Sequence, residues 1–244
     1  MRKHQIVKML SKALVILILL GAGLIFSILS PLSVITMKSV TPGLSYKEND
    51  TVEFYCVLLA IVFLLPPMQI LISGLANQSV MAVDTFQNTY IGCLATFLVI
   101  GVIKCIVGKE RPDYADRIQR TTGQKYLEGR RSFPSGHAGM SFAFVFYLVF
   151  DSVLAIKRSK SVGVRSVLVY MGIIVPFASG IIVAASRISD HRHDIVDVLA
   201  GAGLGVVIPL ICRLSLSSGK RKKQEKAQNM PLAEACSAQD STSV

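Results

Sequence analysis

The chain has 244 residues, of which 52% are hydrophobic and only 17% charged, yet its formal net charge is +11. A soluble domain ordinarily carries about 25% charged residues, so this composition excludes an ordinary water-soluble enzyme. A nucleic-acid binder, the usual reading of a basic chain, needs its cations on a polar face; here they lie between long apolar runs and in a polar tail, which fits lipid headgroups and membrane sorting, with no nucleic-acid partner.

Residues 1–12 hold Arg2, Lys3, Lys8 and Lys12 and lead into a first apolar stretch, 13–35. That stretch outruns the apolar core of a cleaved signal peptide, so it reads as a retained anchor. Further apolar stretches follow at 54–75, 91–107, 138–156, 167–185 and 195–214. A helix needs about 20 mostly apolar residues to cross the hydrocarbon core, so the fold class is all-α, a six-transmembrane-helix bundle over residues 13–214. Pro66 and Pro67 should kink the second helix rather than end it, because neighbouring helices can satisfy the freed carbonyls. Gly201, Gly203 and Gly205 should let the sixth approach a neighbour closely. Residues 215–244 are polar and read as a disordered cytoplasmic tail, ending in Thr242-Ser243-Val244, which could add as a strand to a PDZ groove. The five cysteines show no CxxC spacing, which argues against a disulfide framework or a zinc ribbon. A homo-oligomer is compatible with this architecture.

Lysine and arginine near helix ends set orientation. The N-terminus, the connection holding Lys157, Arg158, Lys160 and Arg165, and the tail from Arg213 to Lys226 share one side of a six-span protein, which should be the cytoplasm. The connection after the third stretch breaks the rule: it holds Lys109, Arg111, Arg117, Arg120, Lys125, Arg130 and Arg131, yet it must lie outside. Anion binding is the obvious purpose, although Arg117, Arg120 and Lys125 read as an ordinary solvated face.

Three clusters carry chemistry. Lys104, followed after six residues by Arg111-Pro112, places an ammonium and a planar guanidinium fork at a helix end, with Pro112 fixing the turn; snorkelling would explain this cluster alone equally well. Pro134-Ser135-Gly136-His137 precedes the fourth helix: Ser135 is a natural N-cap, Gly136 admits close backbone approach, and the helix N-terminus favours an anion beside His137. Its bland counterpart is a capped helix with an interfacial histidine. Ser186-Arg187, then His193 and Asp197, put an imidazole and a carboxylate four apart, within reach on one helix face. A carboxylate on one imidazole nitrogen fixes the tautomer and leaves the other free to attack; a surface ion pair is the plain alternative. The topology, derived without these motifs, brings all three to the same membrane face. The run Asp190-His191-Arg192-His193-Asp194 suggests a metal site less well, since two histidines two apart diverge on a helix and Arg192 repels a cation.

In this order and spacing, Lys104-x6-Arg111-Pro112, Pro134-Ser135-Gly136-His137 and Ser186-Arg187-x5-His193-x3-Asp197 resemble the three-part signature of the type 2 phosphatidic acid phosphatase superfamily, and within it the lipid phosphate phosphatases. Ser132-Phe133 and the run Asp197–Gly201 add to the likeness, which covers residues 13–214. The resemblance implies that His193 attacks phosphorus to form a phosphohistidine, that Asp197 orients it, and that His137 protonates the leaving alkoxide and then activates water. It implies that Lys104, Arg111, Arg187, Ser135 and the Gly136 N–H hold the phosphate, with Pro112 and Pro134 as structural motif positions. No metal or other cofactor is implied. Expected substrates are phosphatidate, lysophosphatidate, sphingosine 1-phosphate, ceramide 1-phosphate and diacylglycerol pyrophosphate.

Two rivals stay open. A phosphatase for polyprenyl diphosphate or a sugar phosphate would keep the chemistry and change the substrate. A silent membrane scaffold should lack one of His137, His193 or Asp197, and all three are present. The topology is tested by glycosylation: Asn49-Asp50-Thr51 lies in a loop expected outside, and Asn77-Gln78-Ser79 in one expected in the cytoplasm. Expressed in a eukaryotic secretory pathway, the protein should lose a glycosidase-sensitive mass increment with Asn49→Gln; an increment that depends on Asn77 instead would invert the orientation.

Overall fold

The computed structural model describes residues 3–75 and 82–228. Among the described residues, six helices are long and apolar enough to cross a membrane. The first two are α1 (Lys3–Ile28) and α2 (Phe54–Leu75). After α3 (Ala82–Ile106) come two short helices, α4 (Tyr114–Arg120) and α5 (Gly123–Leu127). The bundle is completed by α6 (Gly136–Arg158), α7 (Val162–Ser189) and α8 (Ile195–Gln228). The Asn77 sequon and the C-terminal Thr242-Ser243-Val244 lie outside the described residues.

The chain departs from the expected spans where backbone chemistry intervenes. The first apolar run does not stay helical to residue 35: α1 ends at Ile28, just before Pro31, which has no N–H to donate and restricts the residue before it. Residues Ile35–Met37 then form a strand, β1, parallel to β2 (Val107–Lys109), with Ile35 opposite Val107 and Met37 opposite Lys109. Val107, expected in the third span, therefore belongs to this small sheet. The prolines of α2 behave as expected: a π-helical turn at Ala60–Leu64 precedes them, and the helix continues. The Val62 carbonyl, four residues before Pro66, accepts a hydrogen bond from the Tyr90 hydroxyl of α3 at 3.1 Å.

Helix α6 is the centre of the bundle and packs against α2, α3, α7 and α8. Its Met140, Ala143, Tyr147 and Leu148 are buried with Ile61 and Leu65 of α2 and Cys93 and Phe97 of α3. The outward faces carry exposed Ile181, Ile182, Leu199 and Ile211, an apolar surface that only lipid or a partner would cover. Towards the end of α6 that precedes the Lys157–Arg165 connection, Asp151 accepts from Gln69 Nε2 at 2.6 Å and Arg213 Nη2 at 2.8 Å, tying α2, α6 and α8 together.

Of Gly201, Gly203 and Gly205 in α8, two make the close approach the sequence suggests. A Cβ on Gly201 would lie 2.3 Å from the Ser135 carbonyl oxygen, and one on Gly205 would lie 2.2 Å from that of Gly139, whereas Gly203 has open space. Backbone cannot rotate aside as a side chain can, so the α6–α8 spacing depends on these two positions. Gly205→Ala should therefore lower stability by about 1–3 kcal/mol, as overpacking does, while Gly203→Ala should not; thermal melts of the two variants in detergent check the contrast.

Candidate active site

The C-terminal ends of α3 and α7, the N-terminal end of α6 and the turn before α8 meet around a cavity of about 490 Å³. Lys104, Arg111, Gly136, His137, Arg187 and His193 line it. Asp197, Ser135, Pro112 and Pro134 are buried but not part of its lining. Asn49 is exposed and lies on the lining. The three sequence clusters thus converge at one end of the bundle.

His193 precedes α8 rather than beginning it. It sits in the turn after α7, where the N–H groups of Arg192 and His193 both donate to the Arg187 carbonyl, at 3.1 and 3.3 Å. Its Nδ1 lies 3.7 Å from Asp197 Oδ2, long for a direct hydrogen bond, with Ser132 Oγ 3.4 Å away. Ser132 donates to the same carboxylate oxygen at 2.5 Å. With Nδ1 facing this acceptor pair, Nε2 is the nitrogen left for chemistry. Burial pushes the imidazole down, to about 3, with Lys104 and Arg111 pushing the same way against the pull of Asp197. The neutral, nucleophilic form is therefore the resting one.

His137 stands at the start of α6, its ring edge-on to Phe54 with centroids 5.0 Å apart. Its Nε2 lies 3.2 Å from Arg187 Nη1. A guanidinium can only donate, so Nε2 accepts and the neutral ring carries its proton on Nδ1. Ser135 caps α6, its hydroxyl accepting from the Ala138 N–H at 3.5 Å while its own N–H donates to the Asp197 carbonyl at 2.9 Å. That hydroxyl serves the helix end, and Ser135 does not line the cavity, unlike Gly136 and His137 beside it. Pro134 precedes it, and the Pro112 carbonyl accepts from the Leu44 N–H at 3.1 Å.

The cations fall into two groups. Arg187 is fully buried and engaged: Nη1 donates to Asp50 at 2.9 Å and Nη2 to Asp190 at 2.7 Å. Lys104 instead donates only to carbonyls, those of Arg131 at 2.6 Å and Ser132 at 3.4 Å. Arg111 has a buried Nε without a hydrogen-bond partner, and the nearest carboxylate, Glu128, is 3.7 Å from Nη1 and half exposed. Among the described residues, then, Lys104 and Arg111 face the cavity with no carboxylate nearer than that, and Arg131, also on the lining, bonds to the Leu29 and Phe26 carbonyls rather than to a carboxylate. Burial pushes the Arg111 guanidinium down, to about 10, and nearby Arg117 adds to this. An anion in the cavity would relieve both.

Several functional neighbours escape sequence reading. Asp50, from the loop before α2, bridges Arg187 and Arg192, accepting from Arg192 Nε at 2.7 Å. Arg192 also pairs with Asp113 at 3.0 Å and packs over Tyr46. Arg117 is not the solvated residue expected. It is buried, holds Asp113 through Nε and Nη2 at 3.2 and 2.8 Å, and stacks on Tyr46. The i,i+4 spacing of Asp113 and Arg117 was a usable signal for that pair, but not for its burial. Arg120 and Lys125 do face solvent. His191 turns towards the Ser45 carbonyl, 2.9 Å from its Nδ1. No group of three or more His, Cys, Asp or Glu side chains is placed to hold a metal ion among the described residues.

The family model of the PAP2 superfamily matches residues 88–218, more than half of the chain and the segment that carries all three clusters. The chain belongs to the PAP2 superfamily. Lipid phosphate phosphatase 2 of Arabidopsis thaliana is 27% identical over 82% of this chain and 74% of its own length. Diacylglycerol pyrophosphate phosphatase 1 of Saccharomyces cerevisiae is 28% identical over 60% of this chain and 58% of its own. A PA-phosphatase related-family protein of Dictyostelium discoideum is 35% identical over 46% of this chain, which spans only 41% of that relative. No solved structure matches the chain. In this PAP2 protein, the all-α bundle brings Lys104, Arg111, His137, Arg187 and His193 to one cavity.

The buried His193 yields a pH test. Because its folded value is depressed, the ring should stay neutral as pH falls from 8 to 4 and gain its second proton only near 3. Histidine-selective 15N NMR of the protein in detergent, with His193→Gln to assign the signal, checks this; an imidazolium appearing between pH 6 and 7 would contradict the geometry.

Proposed function

We propose that this protein is an integral membrane lipid phosphate phosphatase that hydrolyses phosphomonoesters through a phosphohistidine on His193. The observation that carries the reading is the convergence in one cavity of the His193 imidazole, its Nδ1 side facing Asp197, with Lys104 and Arg111, which lack a close carboxylate. A phosphomonoester brings about two negative charges, which these cations can meet. Arg117 and Arg192, also on the lining, are already neutralised by Asp50 and Asp113.

In this mechanism His193 Nε2 attacks phosphorus and the bond from phosphorus to the lipid oxygen breaks. His137 in its protonated form gives the alkoxide its proton; as a neutral base it then takes one from the water that splits the phosphohistidine and releases orthophosphate. Lys104, Arg111, Arg187 and the Gly136 N–H meet the charge that spreads over the phosphoryl oxygens. Asp197 balances the charge that develops on His193. None of these steps calls for a metal ion.

A lipid is favoured over a sugar phosphate by the less polar part of the cavity lining. Phe54 of α2, Phe97, Ile100 and Gly101 of α3 and Ser27 of α1 form it, all on membrane-length helices. The Lys157–Arg165 connection lies at the other end of α6, so the positive-inside rule puts the catalytic end on the extracellular or lumenal side. The test is orthophosphate release in detergent micelles with EDTA, from a panel of phosphatidate, lysophosphatidate, sphingosine 1-phosphate, ceramide 1-phosphate, diacylglycerol pyrophosphate, a polyprenyl diphosphate and glucose 6-phosphate. Release should be confined to the lipid monoesters, persist in EDTA, and fall on the order of 10³-fold or more in His193→Ala. Preference for glucose 6-phosphate or a diphosphate would reassign the substrate, and loss of activity in EDTA would reassign the chemistry.

A further inference from the structure

We propose that Lys109, an unassigned position between Lys104 and Arg111, is a positioning residue that holds Asp197 in register with His193. Its side chain is almost wholly buried, donating to Asp197 Oδ1 at 2.6 Å and lying 3.0 Å from Asp194 Oδ2. Lys109 does not line the cavity, so its ammonium is not available to phosphate. It lies instead behind the nucleophile, where it occupies one oxygen of Asp197 and leaves Oδ2 for Ser132, the Asp194 N–H and the His193 side.

The backbone of Lys109 acts on the same carboxylate. Its carbonyl accepts from the Ser132 N–H at 3.0 Å, and Ser132 Oγ in turn donates to Asp197 Oδ2. One residue thus organises both oxygens, directly at Oδ1 and through Ser132 at Oδ2. The β1–β2 pairing fixes where Lys109 stands, with Met37 opposite it and the Glu110 N–H donating to the Met37 carbonyl at 2.9 Å. Asp194 anchors the other side: it accepts from Ser39, the Val40 N–H and Thr41, holding the loop after β1 against the nucleophile turn.

Charge makes the arrangement purposeful. Lys109, Asp194 and Asp197 together carry one net negative charge, matched to the one positive charge that His193 acquires on phosphorylation. Without Lys109 two carboxylates would share a buried site, and such a pair repels. Asp197 would then rotate or take up a proton, and His193 would lose its fixed tautomer.

The inference rests on the reading of His193 as the nucleophile, and the test separates the two. Lys109→Met, Lys109→Gln and Lys109→Arg are assayed with the parent on dioctanoyl phosphatidate in detergent micelles, with inorganic phosphate as competitive inhibitor. Lys109→Met should lower kcat about 10- to 100-fold, the effect of a slightly misplaced catalytic group, with KM and the phosphate inhibition constant within about twofold of the parent. Lys109→Arg, which can fork across both carboxylates, should recover most of kcat. Should Lys109→Met not assemble, Lys109→Gln, which keeps a donor without the charge, is expected to show the same kcat loss. Parental kcat in Lys109→Met or Lys109→Gln overturns the proposal while leaving the phosphatase reading intact, as does a loss confined to KM and the phosphate constant. A parent that releases no phosphate from any lipid overturns the phosphatase reading first, and this inference with it.

Discussion

Charge neutralisation away from water is the constraint on which the catalytic end depends. Lys109, Arg117, Arg131, Arg187 and Arg192 are all buried there. Burying a cation carries a desolvation cost of several kcal/mol unless partners compensate. Asp113, Asp190, Asp194 and Asp197, with the partly buried Asp50, supply most of the compensation. Arg131 takes a different route, donating to the Leu29 carbonyl and to that of Phe26 at 2.6 Å, where it closes the end of α1. Lys104 and Arg111 likewise lack a close carboxylate, and the proposed function puts the ligand's negative charge beside them.

The same pairings give the site its rigidity. The loop between α1 and α2 has little regular structure, yet Asp190 and Asp194 grip it at two points: Thr51 through its N–H and hydroxyl, and the stretch Ser39–Thr41. The loop in turn delivers Asp50 to Arg187 and Arg192. The Asp190–Asp194 turn carries His193, the proposed nucleophile, so its carboxylates fasten the surrounding walls as well as holding charge. Close packing of Gly201 and Gly205 against α6 sets the distance between the helix starts that carry His137 and Asp197. Phosphoryl transfer depends on positioning more than on covalent help, and these contacts supply it.

Asp50 has a particular place in this scheme. Its two oxygens occupy Arg187 and Arg192, and these bonds hold its carboxyl below the usual range against the opposing effect of burial. Arg187 therefore stands between an internal carboxylate and the His137 ring, within reach of both. In the proposed mechanism phosphate competes with Asp50 for Arg187, whereas Lys104 and Arg111 await it without such competition.

The sequence by itself determined what short-range chemistry determines: six apolar stretches of membrane length, the glycines of the last helix, and three polar clusters whose order places them at one end of the bundle. Hydropathy and i,i+4 spacing are local quantities, so Pro66, Gly201 and the His193–Asp197 neighbourhood could be read from neighbours alone. Tertiary structure decided the rest, because burial and pairing across the loops are not local. Arg117 and Arg120 sit three apart in one basic run, yet one is buried on Asp113 and the other faces solvent with Asp116. Lys109 looked like another loop cation until β1, distant in sequence, fixed it beside Asp197. Asp50 carried no signal at all, since its partners lie 137 and 142 residues away. Which cations stay available to a phosphate depends on where every carboxylate ends up, and only the folded chain fixes that.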